Sequence, residues 1–332
     1  MGSKNTLPEG WRRVKLGEIA EILTGATPLR ERMEYWNNGT IPWLTNEEVE
    51  EDKINYIRDT KEKITEVALK RTNVKLIPED SVILSLTASV GKVAINKVKL
   101  TTNQQFNAFI VSKQRAFPLF VGYYLLFSKE NIKMLAGLTT FDFIGRTTIS
   151  NFQIILPPLS EQRKIAEILE TVDNAIEKTD AIIEKYKRIK QGLMQDLLTR
   201  GIDENGQIRS EETHRFKDSP LGRIPEEWKV VELGEVFKLK SGMTRPCDTS
   251  ESGNYPIYGG NGILGYTNEK NFDIETIIIG RVGEYCGVVY IASGGWVTDN
   301  ALYVVVKKRD YNNLFLCYLL NYVNRIYSPF LT

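Results

Sequence analysis

The sequence contains the same opening segment twice. When Trp11 is placed on Trp228, a series of identical residues falls at one constant offset. The matched pairs are Pro8/Pro225, Val14/Val231, Leu16/Leu233, Gly17/Gly234, Glu18/Glu235, Gly25/Gly242 and Thr27/Thr244. A repeat of this length predicts two copies of one domain within a single chain.

Later segments repeat as well, and they indicate the fold of each copy. Residues 276–279 match 82–85, residues 298–302 match 102–106, and Tyr318 matches Tyr124. In the first copy, the residues from Trp11 to Leu23 predict a strand, a helical turn around 17–20 and a second strand. Paired strands are predicted at 81–86 and 92–98, a strand at 107–111, a helix at 117–135 and extended chain at 149–156. The fold class is therefore α/β, with two similar mixed domains.

Composition limits the class of protein. A chain of 332 residues with 42% apolar residues has room for two ordinary globular domains. The three cysteines form no Cys-x-x-Cys pair, and His214 is the only histidine, so neither a disulfide framework nor a zinc site is predicted. There is no signal-peptide core and no apolar run of membrane-spanning length. We expect a cytoplasmic protein that does not engage a membrane.

Between the two copies lies the strongest helical pattern. From Ser160 to Thr199 there is no proline, and apolar residues recur in alternating steps of four and three. Such spacing produces a stripe that packs against another helix, as in a coiled coil. About forty residues at about 1.5 Å each give a rod of about 60 Å. The residues assigned to packing and partner docking are Ile165, Leu169, Val172, Ile176, Ile183, Tyr186, Leu193 and Leu197.

These patterns divide the chain into four segments. Residues 1–156 form the first domain and residues 157–200 the long helix. The polar residues 201–223, rich in turn formers, are interpreted as a linker, and residues 224–332 form the second domain.

No motif predicts catalysis. The sequence has no Gly-x-Gly-x-x-Gly fingerprint, and Val90-Gly91-Lys92 lacks the first glycine of a phosphate-binding loop. The catalytic dipeptides of an adenine methyltransferase and the carboxylate–lysine array of a nuclease are also missing. Neither catalytic nor metal-binding residues are therefore predicted on this chain.

Several polar residues are suited to contact with nucleic acid. Asn and Gln side chains can pair with adenine and Arg with guanine, while hydroxyls and backbone amides in loops bind phosphates. Ordinary turn chemistry uses the same residues, so both interpretations stay open. The predicted DNA contacts are Arg30, Lys92, Asn103, Gln104, Gln105, Arg245, Arg281 and Asn300.

Together these segments resemble a known family. The run from Leu156 through Pro157-Pro158-Leu159-Ser160-Glu161-Gln162-Arg163, followed by a long helix ending near Arg200-Gly201, is similar to the central region of type I restriction–modification specificity (S) subunits. The twin openings and the segments at Thr102 and Thr298 resemble the two target-recognition domains of that family. The resemblance covers the chain from about residue 7.

The resemblance implies a function and a set of partners. It implies a non-catalytic subunit of a type I restriction enzyme and DNA adenine methyltransferase complex, in which each recognition domain reads half of a split sequence in double-stranded DNA. Methyltransferase (M) subunits would dock on the helices, and motor-nuclease (R) subunits would join the complex. It also implies no cofactor on this chain, with S-adenosylmethionine and ATP bound by the partner subunits.

One departure from the family pattern bears on the partners. The second copy stops at Thr332, before the equivalents of the exit strand and the second helix. Either the chain is truncated or a second copy of the chain supplies a partner for the unpaired helix. Two other functions stay open: an interaction scaffold built on the coiled coil that does not bind DNA, and a self-sufficient DNA methylase or nuclease.

Overall fold

The computed structural model describes residues 7–87, 89–136, 144–246, 253–307 and 311–327. The contacts divide the chain into two compact units, residues 1–180 and 181–332. The boundary lies inside the long helix, so each unit holds one domain and part of that helix. The division into four segments with the boundaries given above stays a prediction.

The first unit begins with short strands and ends in helices. Its elements are β1 (Arg12–Lys15), α1 (Leu16–Ile19), β2 (Ala20–Thr24), β3 (Ile41–Leu44), β4 (Ile54–Ile57), β5 (Glu62–Ile64), α2 (Glu66–Arg71), β6 (Val82–Ser85), β7 (Val93–Asn96), β8 (Thr101–Thr102), β9 (Phe106–Val111), α3 (Pro118–Phe127), α4 (Lys129–Ala136), α5 (Arg146–Ser150) and β10 (Gln153–Leu156).

The long helix α6 (Leu159–Thr199) leads into the second unit. There follow β11 (Phe216–Ser219), β12 (Gly222–Pro225), α7 (Leu233–Val236), β13 (Phe237–Ser241), β14 (Tyr255–Gly259), β15 (Gly262–Thr267), β16 (Phe272–Gly280), β17 (Val289–Val297), β18 (Ala301–Val306) and α8 (Asn313–Tyr327).

The two units share one sheet topology. The first contains a five-stranded sheet of order β2-β9-β6-β7-β4, and the second contains β13-β18-β16-β17-β14 with β15 added at the edge. The corresponding pairs agree in direction: the first three are antiparallel, and the fourth, β7 with β4 and β17 with β14, is parallel. The prediction of two similar mixed α/β domains is confirmed.

The core of the first unit lies between its main sheet and the helices. Strands β6 and β7 are buried on both faces, because α3 packs on one side and a smaller apolar cluster on the other. The start of α6 belongs to this core, where Ala166 is fully buried. Gln162 is also buried, and its amide bonds the Phe117 backbone N–H and the Pro157 carbonyl, both at 2.8 Å.

The long helix is confirmed as a single element. It has 41 residues and runs from Leu159 to Thr199. Gly201 follows it with a φ of 65°, the left-handed conformation that commonly ends a helix. Among the described residues, no helix is both long and apolar enough to cross a bilayer.

Two local predictions differ from the structure, and a third segment contains more secondary structure than its interpretation implies. The predicted helix at 117–135 is two helices that meet at Ser128. The predicted extended chain at 149–156 begins as the last residues of α5, and only β10 is a strand. Residues 201–223, interpreted as a linker, contain β11 and part of the hairpin that it forms with β12, together with a bridge between Ile202 and Ile208. Turn-rich composition does not distinguish a linker from a small hairpin, because both use the same residues.

Candidate nucleic-acid interface

One edge of the first main sheet gathers most of the predicted contacts of that domain. Strands β2 and β6 end where β9 begins, because Thr24 pairs with Asn107 and Ser85 with Phe106. Three loops therefore meet there: residues 24–30, residues 86–92 (residue 88 being outside the described chain) and residues 103–105. We call these residues the first loop edge.

The loops of the first loop edge are held close together. The Gly25 and Ala26 backbone N–H groups donate to the carbonyls of Phe106 and Thr102 at 3.0 and 2.9 Å. A Cβ added at Gly25 would lie 1.9 Å from the Asn103 carbonyl oxygen, so only glycine permits this approach. The Thr27 hydroxyl donates to the side-chain oxygen of Gln104. Residues 24–30 and 103–105 are far apart in sequence, but these contacts join them into one surface.

The side-chain amides of Asn103, Gln104 and Gln105 differ in exposure and in internal hydrogen bonding. The Asn103 amide donates to the Gln105 side-chain oxygen at 2.9 Å, and the Gln105 backbone N–H returns a bond to Asn103 at 3.0 Å. Both side chains are half-buried, whereas Gln104 is exposed. Asn103 and Gln105 therefore shape the turn, and Gln104 is the amide best placed to reach a base.

The Arg30 side chain forms its main contacts with other residues of the first domain. Its guanidinium forms a two-pronged ion pair with Glu62, and Nη2 lies 2.8 Å from Oε2. The guanidinium also lies 4.0 Å and 4.7 Å from the ring centroids of Trp36 and Trp43. The Arg30 hydrogen bond, and then its charge, hold the pKa of Glu62 below its usual value. Half of the Arg30 side chain is exposed, so any DNA contact would use the outer face of a group already fixed in place.

Lys92 also has an internal partner. Its ammonium donates to the Asn46 carbonyl at 3.0 Å, and the residue is half-buried. Two lysines further along the sequence, Lys97 and Lys113, pair with Asp80 and hold its pKa low. Lys92, Lys97 and Lys113 therefore all have partners within the domain, although Lys113 stays largely exposed.

The second domain builds the corresponding edge. Strands β13 and β16 end where β18 begins, because Ser241 pairs with Leu302 and Gly280 with Ala301. Residues 241–246, 281–287 and 298–300 meet there and form the second loop edge. A Cβ added at Gly242 would lie 2.0 Å from the Thr298 carbonyl oxygen, repeating the close approach at Gly25.

The predicted contacts of the second loop edge are open to solvent. Arg245, Arg281 and Asn300 are all exposed. Nη1 of Arg281 lies 3.4 Å from the Ser241 hydroxyl, and the backbone N–H of Arg281 bonds the Asn300 carbonyl at 3.0 Å. Among the described residues, neither arginine forms an ion pair with a carboxylate. These two guanidiniums can therefore pair with phosphate or guanine at little internal cost.

Tyr285 is a candidate that the sequence analysis did not identify. It lies in the short helical turn 283–285 of the second loop edge and is 45% exposed. An exposed aromatic ring among polar loops can stack on a base or line a groove. The sequence could have indicated Tyr285, because its segment aligns with the turn at Ser89-Val90-Gly91 of the first copy. That alignment places Tyr285 in a loop.

The predicted stripe on α6 is largely uncovered. Ile165 packs against the core of the first unit, whereas Val172, Ile176 and Tyr186 are more than half exposed. The other stripe residues, Leu169, Ile183, Leu193 and Leu197, are exposed as well. In the second unit, the stripe lines an open apolar groove of about 940 Å³ together with Phe315 and Tyr318 of α8.

Two tyrosines fix the start of α6 to the first domain. Tyr123 donates its hydroxyl to Asp173 at 2.7 Å, and Tyr56 donates to Glu170. Burial, and next the bonded carboxylate, raise the pKa of each phenol well above its usual value. The helix therefore leaves the first domain in a fixed direction, a feature that the sequence pattern did not indicate.

Comparison with known proteins identifies the family. The chain matches the type I restriction modification DNA specificity domain over residues 8–187 and again over residues 225–329. The chain belongs to the type I restriction–modification specificity subunits. Its two matched regions correspond to the two copies in the sequence, and the predicted resemblance is confirmed. The matched family model is a DNA specificity domain, so DNA recognition is the general role of the family.

Individual relatives agree with this assignment. The chain is 31% identical over 243 residues to the type I restriction enzyme MjaIX specificity subunit of Methanocaldococcus jannaschii, covering 72% of this chain and 54% of that relative. It is 27% identical over 302 residues to the EcoprrI specificity subunit of Escherichia coli, covering 88% and 72%. The match thus spans about half the length of the first relative.

A solved structure shares the fold. The S subunit of the type I restriction-modification system of M. genitalium superposes with a TM-score of 0.63 at 17% identity, covering 98% of this chain and 80% of that chain. Among the described residues, no group of three or more His, Cys, Asp or Glu side chains could hold a metal ion.

Proposed function

We propose that this specificity subunit reads a bipartite target in double-stranded DNA, with one half contacted by each loop edge. The observation that carries the proposal is the construction of the same edge twice, from corresponding strands and with the same glycine approach. Family membership supports DNA recognition as the general role. Binding residues commonly lie on loops that a rigid scaffold holds in position, here the sheet that both domains share.

The two loop edges differ in which residues contact DNA and which position the loops. At the second loop edge, Arg245, Arg281 and Asn300 reach bases and phosphates directly, and Tyr285 adds a stacking surface. At the first loop edge, Gln104 reads the DNA, Asn103 and Gln105 hold its turn, and Arg30 and Lys92 position the loops and present their outer faces. Phosphate contacts set the register, and base-edge contacts supply the sequence preference.

The stripe on α6 is proposed as the docking surface for methyltransferase subunits, with motor-nuclease subunits joining the assembled complex. A second copy of this chain is a further candidate partner for the same stripe. This chain carries no cofactor in this scheme, and S-adenosylmethionine and ATP are bound by the partners. The supporting observation is the row of exposed apolar side chains from Leu169 to Leu197.

Binding of labelled duplex DNA at several salt concentrations tests the proposed recognition. An electrostatic DNA contact gives an affinity that falls steeply with salt, and each lost phosphate contact reduces the logarithmic slope by about 0.9. We expect Arg281→Ala to lower both affinity and slope. Arg223→Ala, in the hairpin outside the loop edge, is the matched control and should change neither.

This binding measurement and an activity assay separate the alternatives. Absence of binding to random duplex at low salt, with a folded chain, would favour an interaction scaffold that does not contact DNA. Methyl transfer from S-adenosylmethionine, or Mg²⁺-dependent cleavage, by the pure chain would show a catalytic site and contradict the assignment to partner subunits.

A further inference from the structure

Each loop edge carries an arginine on a short loop that begins at a closely packed glycine. The first of these loops runs from Gly25 to Arg30 and the second from Gly242 to Arg245, and we call them the arginine loops. The backbone N–H of each glycine donates to the first carbonyl of the neighbouring strand, β9 or β18, at 3.0 Å. The sheet therefore fixes the start of both arginine loops.

A tryptophan fixes the other end of each arginine loop. The indole N–H of Trp36 donates to the Leu29 carbonyl at 3.1 Å, and that of Trp296 donates to the Thr244 carbonyl at 3.2 Å. Both carbonyls belong to the residue directly before the arginine. The indole N–H is a donor only, so each bond holds the backbone in place next to the arginine side chain.

The two tryptophans do not occupy equivalent positions in their domains. Trp36 lies 7 residues after Leu29 and directly follows a short helical turn. Trp296 lies 52 residues after Thr244, near the end of β17. Duplication of the domain therefore does not explain why both indoles bond the same point of the loop. The repeated contact indicates that the backbone before the arginine has to be held.

The second arginine loop leaves the Arg245 backbone little freedom. Pro246 follows directly and is buried, and a proline restricts the preceding residue to extended conformations. The Arg245 side chain is nevertheless exposed, and its Nη2 makes one long contact of 3.5 Å with the Leu264 carbonyl. Arg245 can therefore offer two parallel N–H donors from a backbone that is fixed on both sides.

The two arginines differ in what their guanidiniums can still bind. Both prongs of Arg30 pair with Glu62, whereas Arg245 forms no ion pair with a carboxylate in the described part of the chain. A bidentate contact with guanine needs two N–H donors that meet O6 and N7 together. Such a contact has to be held within about 0.5 Å, and the fixed backbone of Arg245 meets that requirement.

We propose that Arg245 reads a guanine in the DNA segment contacted by the second loop edge, and that Trp296 is its positioning residue. Trp296 acts through the Thr244 carbonyl and does not itself contact the DNA. The inference rests on the proposed DNA recognition and adds to it the base that is read and the residue that positions the reader.

The test measures binding of the whole chain to two duplexes of equal length. One carries the sequence that the chain selects from a random pool, and the other has random sequence. We expect Trp296→Phe to lower the affinity for the selected duplex about tenfold, the effect of losing one well-placed bidentate base contact. The affinity for the random duplex and the slope of affinity with salt should stay unchanged, because phosphate contacts supply both.

A change in the DNA tests the assigned base. Replacing each guanine of the selected duplex in turn by 7-deazaguanine removes the N7 acceptor. At one position this should weaken binding by the unaltered chain about tenfold. The same replacement should have no effect on Arg245→Ala or on Trp296→Phe, since both variants have already lost the contact.

A double-mutant cycle shows whether Trp296 acts through Arg245. Arg245→Ala should lower the affinity for the selected duplex by about the same factor as Trp296→Phe. Combining the two substitutions should cause no further loss, because residues that act as a unit are not additive. A merely structural role of the indole would give losses that multiply.

A matched control removes a different indole bond. Trp11→Phe loses the hydrogen bond from the indole N–H to Glu161, at 3.1 Å and outside both loop edges, and should leave binding to both duplexes unchanged. If Trp296→Phe does not fold, Pro246→Ala takes its place, because it frees the backbone on the other side of Arg245. It should lower the affinity for the selected duplex alone.

Two results would overturn the inference while the proposed function stands. One is an equal loss of affinity for both duplexes in Trp296→Phe, and the other is a loss that multiplies with that of Arg245→Ala. In both cases the unaltered chain still prefers the selected duplex. If the unaltered chain binds no duplex in preference to another, DNA recognition itself is contradicted and the inference fails with it.

Discussion

At the scale of single residues, Arg30 shows how a predicted contact can be a structural group. Its side chain pairs with Glu62 and lies over two tryptophan rings. We expect Arg30→Ala to lower the free energy of unfolding by about 1–2 kcal/mol, because a partly exposed ion pair and the cation–π contacts are lost together. Urea denaturation measures this. The control Arg32→Ala should have a smaller effect, since Arg32 makes only longer contacts, and an equal effect would contradict the role assigned to Arg30.

The Arg30–Glu62 pair also predicts a pH dependence. The pKa of Glu62 is lower in the folded state than in the unfolded chain, where it is about 4.3. The pair therefore stabilises fully above that value, and this stabilisation is lost as the pH falls through the lowered pKa of the folded state. We expect Glu62→Gln to reduce stability at pH 7 and to flatten its decline at acidic pH. Unfolding curves from pH 7 to pH 3 test this, and parallel declines in both proteins would contradict it.

At the scale of elements, the attachment of α6 to the first domain depends on partly buried tyrosine hydroxyls. Tyr123→Phe removes the bond to Asp173 and should loosen the first turns of α6 by about 1 kcal/mol. Hydrogen exchange of residues 159–173 is the measurement. Tyr124→Phe is the control, because its hydroxyl has no hydrogen-bond partner within the described chain. Equal exchange in both variants would show that packing alone holds the helix.

The stripe on α6 is predicted to serve docking rather than the stability of this chain. Ile183→Asp changes an exposed side chain, so the free energy of unfolding should change by less than about 0.5 kcal/mol. Binding of a methyltransferase subunit, measured by calorimetry, should weaken by about tenfold or more, since a charge enters an apolar contact. Lys185→Asp, also exposed on the helix but outside the stripe, is the control. A large loss of stability in Ile183→Asp would mean that the stripe is covered within the chain.

The sequence predicts elements best where the pattern is long. A proline-free run with heptad spacing predicted α6 within a residue at each end, and strong β-branched runs predicted β6, β7 and β9. The break at Ser128 was not predicted, because residues 119–136 contain no proline and the burial of Ser128 is a tertiary feature that the local pattern does not show. The candidate site shows the same limit. The sequence placed Arg30 and residues 103–105 outside the predicted strands, but the pairing of Arg30 with Glu62 depends on contacts between distant strands.

At the scale of the whole molecule, the account depends on duplication. Two domains with one sheet order present two loop edges, and family membership gives the pair a recognition role. The most direct measurement is selection of DNA from a random duplex pool by the chain assembled with a methyltransferase subunit, followed by sequencing. The account predicts a motif of two specified segments separated by unspecified bases. Gln104→Ala should relax one segment only, and Arg281→Ala the other only. A single continuous motif, or relaxation of both segments by either variant, would contradict it.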